Sequence, residues 1–507
     1  MKVKIFLDYR PAVERRGEYV KGERQHSISC GSLTHFGNLS IINIIVERGV
    51  HSMKERIREK LYIFYFTVLG LHMINVFLDI HWLQYMVGIL AIPMLGISFI
   101  WASKLFRILG GTFIITGLVM YTMAGLPPAE LPLYLTSNLQ MLAFLSVLPW
   151  INSVVKAGGY DQQIKGLMEG NVSNLGSLYM RSQLTTYILM TFLNLSAINL
   201  TQQLLMENLK KMDRVVRNAI INKTTIRAFA LALIWSPMEI IVALAIEGTG
   251  VSYLTYLPWL LLISFLALGV DMLFGWKNFR TTPYIESDSG GSELQIGKVI
   301  KEIMKLMFAL VLFLAVILLV NHYFGLNFIL TVTLVIPVFS AVWALLIKKW
   351  KKYRQTGWPA WKQQTNHMQN FIILFISLSL FSGALNQTDI VGVIQGPFLA
   401  MEEYPAVVLF LILITYFILA MIGIHPVGTI AILLEVLNPL FNVFNPVAIG
   451  LVLIVAAMAT AAAGTYGITV TMTSINTQQN PYKITLANLA FTFVYGAIGI
   501  GVALFLI

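Results

Sequence analysis

Two groups that could carry a charge or a proton lie inside apolar stretches of this sequence. Glu239 follows Trp235-Ser236-Pro237 within the apolar window 228–247. Because a carboxylate at that depth costs roughly 2.5–3.5 kcal/mol on insertion scales, such a residue usually faces a cavity or binds a cation or a proton. The alternative is a structural hydrogen bond to a neighbouring helix. His425, whose imidazole can also carry a proton, lies in the apolar segment 404–438 with the same two interpretations open.

Small and polar residues mark two predicted turns inside apolar segments, one near 194–199 and one near 423–429. A turn at membrane depth leaves backbone N–H and C=O groups unpaired, so its residues could bind an ion or a solute. They could equally serve only to complete the turn or to bond neighbouring helices. The candidates are Asn194, Ser196 and Asn199 in the first turn, and Gly423, His425, Gly428 and Thr429 in the second.

Two apolar windows carry helix breakers in their centres. Pro237 removes a backbone hydrogen bond in the window 228–247, and Gly464-Thr465-Tyr466 occurs in the window 446–475. These breaks add Ser236, Gly464 and Thr465 to the candidate binding residues. The alternative is a packing kink where helices approach closely. Two other acidic residues, Asp271 and Glu435, are expected to lie near a water boundary without a role in binding.

The composition predicts the elements that must position these residues. The chain has 507 residues, of which 57% are hydrophobic and 12% charged, whereas soluble domains carry about twice that charged fraction. Many windows reach the roughly 20 apolar residues that a membrane-spanning helix needs. The prediction is an all-α polytopic membrane protein with about eleven transmembrane helices and two re-entrant hairpins. The predicted spans are 61–79, 83–103, 106–124, 138–156, 228–247, 257–276, 303–321, 327–347, 369–386, 446–475 and 483–506.

The charges that flank two apolar segments predict the hairpins. Lysine and arginine lie on both sides of 182–208 and on neither side of 404–438. By the positive-inside rule, the first segment enters and leaves on the cytoplasmic side, and the second does so on the exterior side. This reading places the protein in the cytoplasmic membrane with the N-terminus inside and the C-terminus outside.

The net charge of +11 does not indicate a nucleic-acid partner, because the positive residues cluster in short loops between apolar windows. The expected partners are membrane lipid and a small-molecule substrate, and a homodimer is left open. With one cysteine, no internal disulfide can form, and no Walker A loop, zinc-ligand spacing or nucleophile elbow occurs. The sequence therefore predicts a protein that is not an enzyme, with no cofactor or metal other than Na⁺ or H⁺ as a coupling ion.

An internal repeat is predicted at an offset of 229 residues, where Thr186-Tyr187 matches Thr415-Tyr416 and Leu204-Leu205 matches Leu433-Leu434. The repeats would be inverted, an architecture with the binding site at the interface of the repeats near the midplane. The predicted organisation is a first transmembrane helix at 53–80, repeat 1 at 81–278, a cytoplasmic linker at 279–302 and repeat 2 at 303–507. Residues 1–52 form a basic extension that is either a disordered tail or a segment preceding the native start at Met53.

This layout over residues 83–507 resembles the ion transporter superfamily, which includes divalent anion/sodium symporters, arsenite and citrate permeases, and large subunits of tripartite transporters. The pattern of a hairpin, Asn445-Pro446, a Gly/Thr-rich break and Asn480-Pro481 is similar to that superfamily. In its sodium symporters each hairpin tip carries a Ser-Asn-Thr motif. Here the tips read Leu195-Ser196-Ala197-Ile198-Asn199 and Ile424-His425-Pro426-Val427-Gly428-Thr429, so neither keeps the motif.

The function expected from these features is secondary active transport of a small anionic solute by alternating access, coupled to H⁺ or Na⁺. Two alternatives remain open at this point. One is a membrane-spanning permease subunit of a multicomponent transporter. The other is a flippase or an enzyme that acts on a lipid-linked substrate.

Overall fold

The computed structural model describes residues 58–160, 174–284, 296–388, 396, 400, 401 and 403–507, and the extension predicted over 1–52 lies outside them. Eighteen α-helices occur in these residues. In chain order, α1 to α9 are Leu61–Leu78, His81–Trp101, Lys104–Met123, Leu139–Gly158, Leu175–Leu193, Leu195–Asn208, Arg214–Leu233, Ile240–Thr249 and Tyr253–Phe279. Helices α10 to α18 are Ile296–Phe324, Phe328–Leu346, Trp350–Asn366, Gln369–Leu385, Pro405–Ile422, Pro426–Leu437, Pro446–Ala463, Ile468–Thr477 and Pro481–Leu504.

The predicted all-α polytopic membrane fold is confirmed. Ten helical segments of the described chain are long and apolar enough to cross a bilayer, and an eleventh is formed if α12 and α13, bent by 52°, are counted as one span. Large apolar side chains on α1, α2, α3, α9 and α10 point outwards, as expected of surfaces that face lipid tails. By contrast, nearly all residues of α16, Pro446–Ala463, are buried inside the protein.

The helices pack in two groups. One, the core group, contains α5 to α9 and α14 to α18; the other, the frame group, contains α1 to α4 and α10 to α13. Within the core group, α6 of the first half packs on α17 of the second, and α8 packs on α15. The main pairs that join the two groups are α4 with α5, α8 with α11, and α13 with α15. Both helix hairpins and both interrupted helices thus belong to the same packing unit.

Helix ends recur at the offset found in the sequence. Helices α5 and α14 end at Leu193 and Ile422, and α6 and α15 end at Asn208 and Leu437, so both pairs of ends are 229 positions apart. The predicted hairpins 182–208 and 404–438 correspond to α5–α6 and α14–α15, although α5 begins earlier, at Leu175. The inverted orientation of the halves and the re-entrant path of the hairpins remain predictions.

Local sequence explains where several helices begin. Asn445 and Asn480 each accept a hydrogen bond from the backbone N–H two residues later, and each is followed by proline at the first helical position. An asparagine cap satisfies an otherwise unpaired N–H, and proline has none to leave unpaired. The two Asn-Pro pairs noted in the sequence are therefore the starts of α16 and α18.

Two glycines of α9 provide a test of core packing. A Cβ at Gly275 would overlap the ring of buried Tyr179, whereas a Cβ at Gly269 would meet nothing within 4 Å. We expect Gly275→Ala to destabilise the protein by about 1–3 kcal/mol through overpacking, seen as a lower thermal midpoint in detergent. Gly269→Ala in the same helix is the matched control and should leave the midpoint unchanged or slightly higher. Equal midpoints for the two variants would contradict this packing.

Candidate functional site

The first hairpin turns at a single residue. Asn194 lies between α5 and α6 with φ +48°, a left-handed value that asparagine tolerates better than most residues. Its Oδ1 accepts a hydrogen bond from the N–H of Leu195 at 2.7 Å. The Nδ2 amide group of the same side chain takes no part in this bond. The predicted turn over 194–199 is thus too long, because α6 already begins at Leu195, an ordinary helix former.

Glu239 lies at the tip of this hairpin. The break in the first interrupted helix runs from the end of α7 at Leu233 to the start of α8 at Ile240, so Glu239 immediately precedes α8 instead of lying within a kinked helix. Its partly buried carboxylate lies next to the Asn194 side chain and the N–H groups of Ile240 and Ile241, without forming a cap hydrogen bond to α8. The positive end of the α8 dipole stabilises a negative charge here. Hairpin and break therefore meet at one acidic side chain.

Hydrogen bonds hold the first break in place. The Tyr253 hydroxyl donates to the Trp235 carbonyl at 2.6 Å, and the Trp235 indole N–H donates to the Tyr187 hydroxyl at 2.7 Å. Ser236 is buried, and its Oγ accepts from the N–H of Met238 at 3.3 Å. The bonds at the Trp235 carbonyl and the Met238 N–H satisfy backbone groups that the break would otherwise leave unpaired inside the protein. Ser236 therefore supports the backbone of the break, close to Glu239.

The second hairpin turns at Gly423–His425. Gly423 has φ +95°, a conformation open to glycine, and α15 begins at Pro426. His425 caps α15 by accepting from the N–H of Val427 through Nδ1 at 3.3 Å. Its ring lies 5.6 Å from that of Phe106 and 5.9 Å from that of Phe371. The imidazole is thus held between the second hairpin and two helices of the frame group, α3 and α13.

Gly428 and Thr429 lie in the first turn of α15, not in the turn of the hairpin. Their N–H groups donate to the His425 carbonyl at 2.9 and 3.1 Å. Gly428 approaches Leu109 and Leu374, again in α3 and α13. The predicted turn over 423–429 is therefore shorter than expected, and Gly428 serves close packing against the frame group.

The second break lies beside the second hairpin. Gly464 ends α16 and approaches Ala420 near the end of α14. Buried Thr465 hydrogen-bonds to Thr485 at 3.0 Å between hydroxyl oxygens, and its Oγ1 lies 4.0 Å from the sulfur of Met421. Each half thus pairs its own hairpin tip with its own broken helix, as at Asn194 and Glu239.

Asn199 is linked to the opposite half of the chain. It is exposed within α6, and its Oδ1 accepts from the amide of Asn476 in α17 at 2.9 Å. Asn476 also donates to Gln202, whose own amide donates to Thr225 and Thr473 at 2.9 and 2.7 Å. This amide cluster, which sequence reasoning reached only at Asn199, connects α6 and α7 to α17.

The predicted binding residues therefore fall into four places. The structure brings together Asn194, Ser236 and Glu239 in the first half, and it brings Gly464 and Thr465 next to the second hairpin. His425, Gly428 and Thr429 lie at the contact with the frame group, and Asn199 lies in the amide cluster. The side chain of Ser196 lies outside the described residues. Within the described residues, no hydrogen bond joins Glu239 to His425.

A buried ion pair was missed by sequence reasoning. Arg227 Nη1 lies 2.5 Å from Asp271 Oδ1, and the two residues are 9% and 6% exposed. The other Asp271 oxygen accepts from Tyr179 and Gln183 at 2.9 and 2.7 Å. Protein groups therefore surround the Asp271 carboxylate, a pairing that the expectation of a position near a water boundary did not include.

Arg227 extends this ion pair across the two halves. Its Nε donates to Asn488 in α18 at 2.8 Å, and Nη2 donates to the Ala487 carbonyl at 2.8 Å. Glu435 likewise has a protein partner, since the Ser382 hydroxyl donates to its carboxylate. The sequence did contain a signal for this ion pair. Arg227 and Asp271 are two opposite charges in apolar surroundings, 44 positions apart.

The described residues contain no group of three or more His, Cys, Asp or Glu side chains that could hold a metal ion. Nothing in this part of the chain therefore argues for a transition-metal centre. The oxygen-bearing groups near the two breaks are single carboxylate, amide, hydroxyl and carbonyl groups.

A solved structure shares this architecture. The crystal structure of the YdaH transporter from Alcanivorax borkumensis aligns with a TM-score of 0.58, covers 78% of this chain and 98% of that chain, and is 13% identical in sequence. At this identity the likeness establishes the fold alone. No protein-family model matches the chain, and a search of curated proteins finds no match. The chain is thus a polytopic membrane protein whose fold is similar to that of a transporter.

Proposed function

We propose that this protein is a secondary active transporter that moves a small anionic solute across the membrane by alternating access, coupled to H⁺ or Na⁺. The observation that carries the proposal is the contact between the Asn194 tip and Glu239 at the break of the first interrupted helix. Binding of a proton or a cation there would change the charge that holds hairpin and break together. The similarity of the fold to the YdaH transporter supports the same function class.

The packing of the helices supports alternating access. The hairpins and the interrupted helices lie together in the core group, and a small number of helix pairs connects that group to the frame group. Interfaces of this kind allow one body to move against another while its own packing is kept. The solute would then be carried between the two membrane faces by the core group.

Buried polar atoms without hydrogen bonds support an anionic solute. Within the described part of the chain, Nη1 of Arg181 in α5 and Nε of Arg217 in α7 have no hydrogen-bond partner, and neither do the hydroxyl oxygens of Ser182 and Thr186 in α5. Buried polar atoms are normally bonded to protein, water or ligand. Guanidinium groups bind carboxylates and phosphates well. As part of this proposal, the chain is related to the ion transporter superfamily, which its layout over residues 83–507 resembles.

The function can be tested with purified protein in proteoliposomes. Small carboxylates and other organic anions are first screened for thermal stabilisation of the protein, since a ligand of the folded state raises its midpoint. A stabilising anion should then accumulate in the vesicles when an inward proton or sodium gradient is imposed, and the gradient should be consumed in parallel. Equilibration of the anion with no response to either gradient would contradict coupled transport.

A further inference from the structure

Helix α12 differs from the other long helices of the frame group. It lies between the apolar helices α11 and α13 and makes a 52° bend with α13. Its sequence combines cations with three tryptophans. Five cations occur within seven residues at the junction of α11 and α12, at positions Lys348, Lys349, Lys351, Lys352 and Arg354. Amphipathic helices of this composition lie at the boundary between headgroups and acyl chains.

A cavity of about 830 Å³ lies where α4, α11 and α12 meet. Its walls include Trp150 of α4, Pro337 and Ala341 of α11, and Lys351, Arg354 and Trp358 of α12. The Trp150 ring closes the inner side, because it lies 5.6 Å from the ring of Tyr353 and stacks 6.4 Å from that of Trp361. The cavity therefore has an aromatic floor and a cationic rim.

The charge at this rim is uncompensated. Lys351 and Arg354 line the cavity, and no carboxylate does. Neither side chain forms an ion pair within the residues that the structure describes. Two unpaired cations beside an aromatic and aliphatic wall favour a ligand with an anionic head and an apolar body.

The side of α11 next to the cavity faces lipid. Val338, Val342 and Leu345 are 65%, 50% and 56% exposed, which is a continuous apolar ridge beside Pro337 and Ala341. Trp350 and Trp358 are also exposed, as is usual for indoles at the membrane interface. An acyl chain lying on this ridge would have its headgroup at the level of Lys351 and Arg354.

We propose that this cavity binds one anionic phospholipid, with its phosphate between Lys351 and Arg354 and an acyl chain along α11. The cations of the rim complement an anionic headgroup, and the exposed apolar ridge of α11 complements an acyl chain. A soluble anion would match the rim but would leave the ridge uncovered. Bound lipid would fix α12 against α4 and α11 and so stabilise the frame group. This site is independent of the proposed transport site, which lies in the core group.

The test is to count bound lipid by native mass spectrometry of detergent-purified protein titrated with phosphatidylglycerol or phosphatidylcholine. The wild type should retain one phosphatidylglycerol per chain and gain thermal stability from it. Lys351→Gln/Arg354→Gln should bind it about 30-fold more weakly, because this variant removes the two cations that would contact the phosphate directly. Lys348→Gln/Lys349→Gln removes the same charge from the same cluster without altering the rim, and is the matched control.

A second variant separates shape from charge. Ala341→Phe leaves every cation in place and puts a large ring into the cavity. It should therefore also reduce retention of phosphatidylglycerol. The proposal is overturned if the control double variant loses as much binding as the rim double variant, since the cluster would then act only as a diffuse charge. Equal retention of phosphatidylcholine, or full stabilisation by inorganic phosphate alone, would also overturn it.

Discussion

Glu239→Gln is expected to abolish gradient-driven accumulation of the solute while leaving expression and the thermal midpoint close to those of the wild type. Glutamine keeps the shape of the side chain and can still bond to Asn194, but it can neither release a proton nor neutralise a cation. The energy of an ion gradient could then no longer be transferred through the contact of hairpin and break. The measurement is uptake in proteoliposomes with and without imposed proton and sodium gradients.

The matched control is Glu247→Gln. Glu247 lies in α8, the helix that Glu239 precedes, and is exposed near the other end of that helix. This variant should accumulate solute as the wild type does. If Glu239→Gln also kept full coupled uptake, Glu239 would have no role in coupling, and its interaction with Asn194 would be purely structural. Exchange of solute without a gradient, retained in Glu239→Gln, would show that binding is intact.

Asp271→Leu is expected to lower stability by about 3–5 kcal/mol, because it leaves the buried Arg227 guanidinium without its counter-charge. The loss should appear as a large drop in the thermal midpoint, measured in detergent by tryptophan fluorescence. Arg227→Met/Asp271→Leu removes both charges and should recover most of that loss, since an apolar pair avoids the desolvation of two ions. Asn488→Ala removes one neutral partner of Arg227 and should have a smaller effect, about 1–3 kcal/mol.

The double variant decides between two explanations of a low midpoint. If Arg227→Met/Asp271→Leu loses as much stability as the single variants Arg227→Met and Asp271→Leu lose together, the two residues act independently and the ion pair is not the source of the effect. If it recovers stability but loses transport, the pair is needed for the conformational change. The thermal midpoint and the transport activity are measured on the same purified samples.

Hydropathy predicted the helical membrane fold well, because each span needs a long apolar run whatever its neighbours are. The breaks were also predictable, since Pro237, Gly423 and Gly464 interrupt helices through their own backbone chemistry. The residues at which the turns end could not be predicted. Leu195 to Asn199 are all able to continue a helix, and the structure begins α6 at Leu195.

Features that depend on pairing between distant residues were missed. Asp271 was interpreted alone, but its environment is made by Arg227, Tyr179 and Gln183 from other helices. Helix α12 was missed for a different reason. Its many cations and glutamines resemble a loop in a hydropathy profile, whereas its buried face, including Tyr353 and Trp361, is evident only once α4 is in place.

The bonds from Gln202 to Thr473 and from Asn476 to Asn199 span 271 and 277 positions of the chain. During translation, Asn199 and Gln202 are synthesised long before their partners Asn476 and Thr473. Until α17 has been synthesised, Asn199 and Gln202 lack these partners. A product that stops before α17 would lack them permanently and would be prone to misassembly.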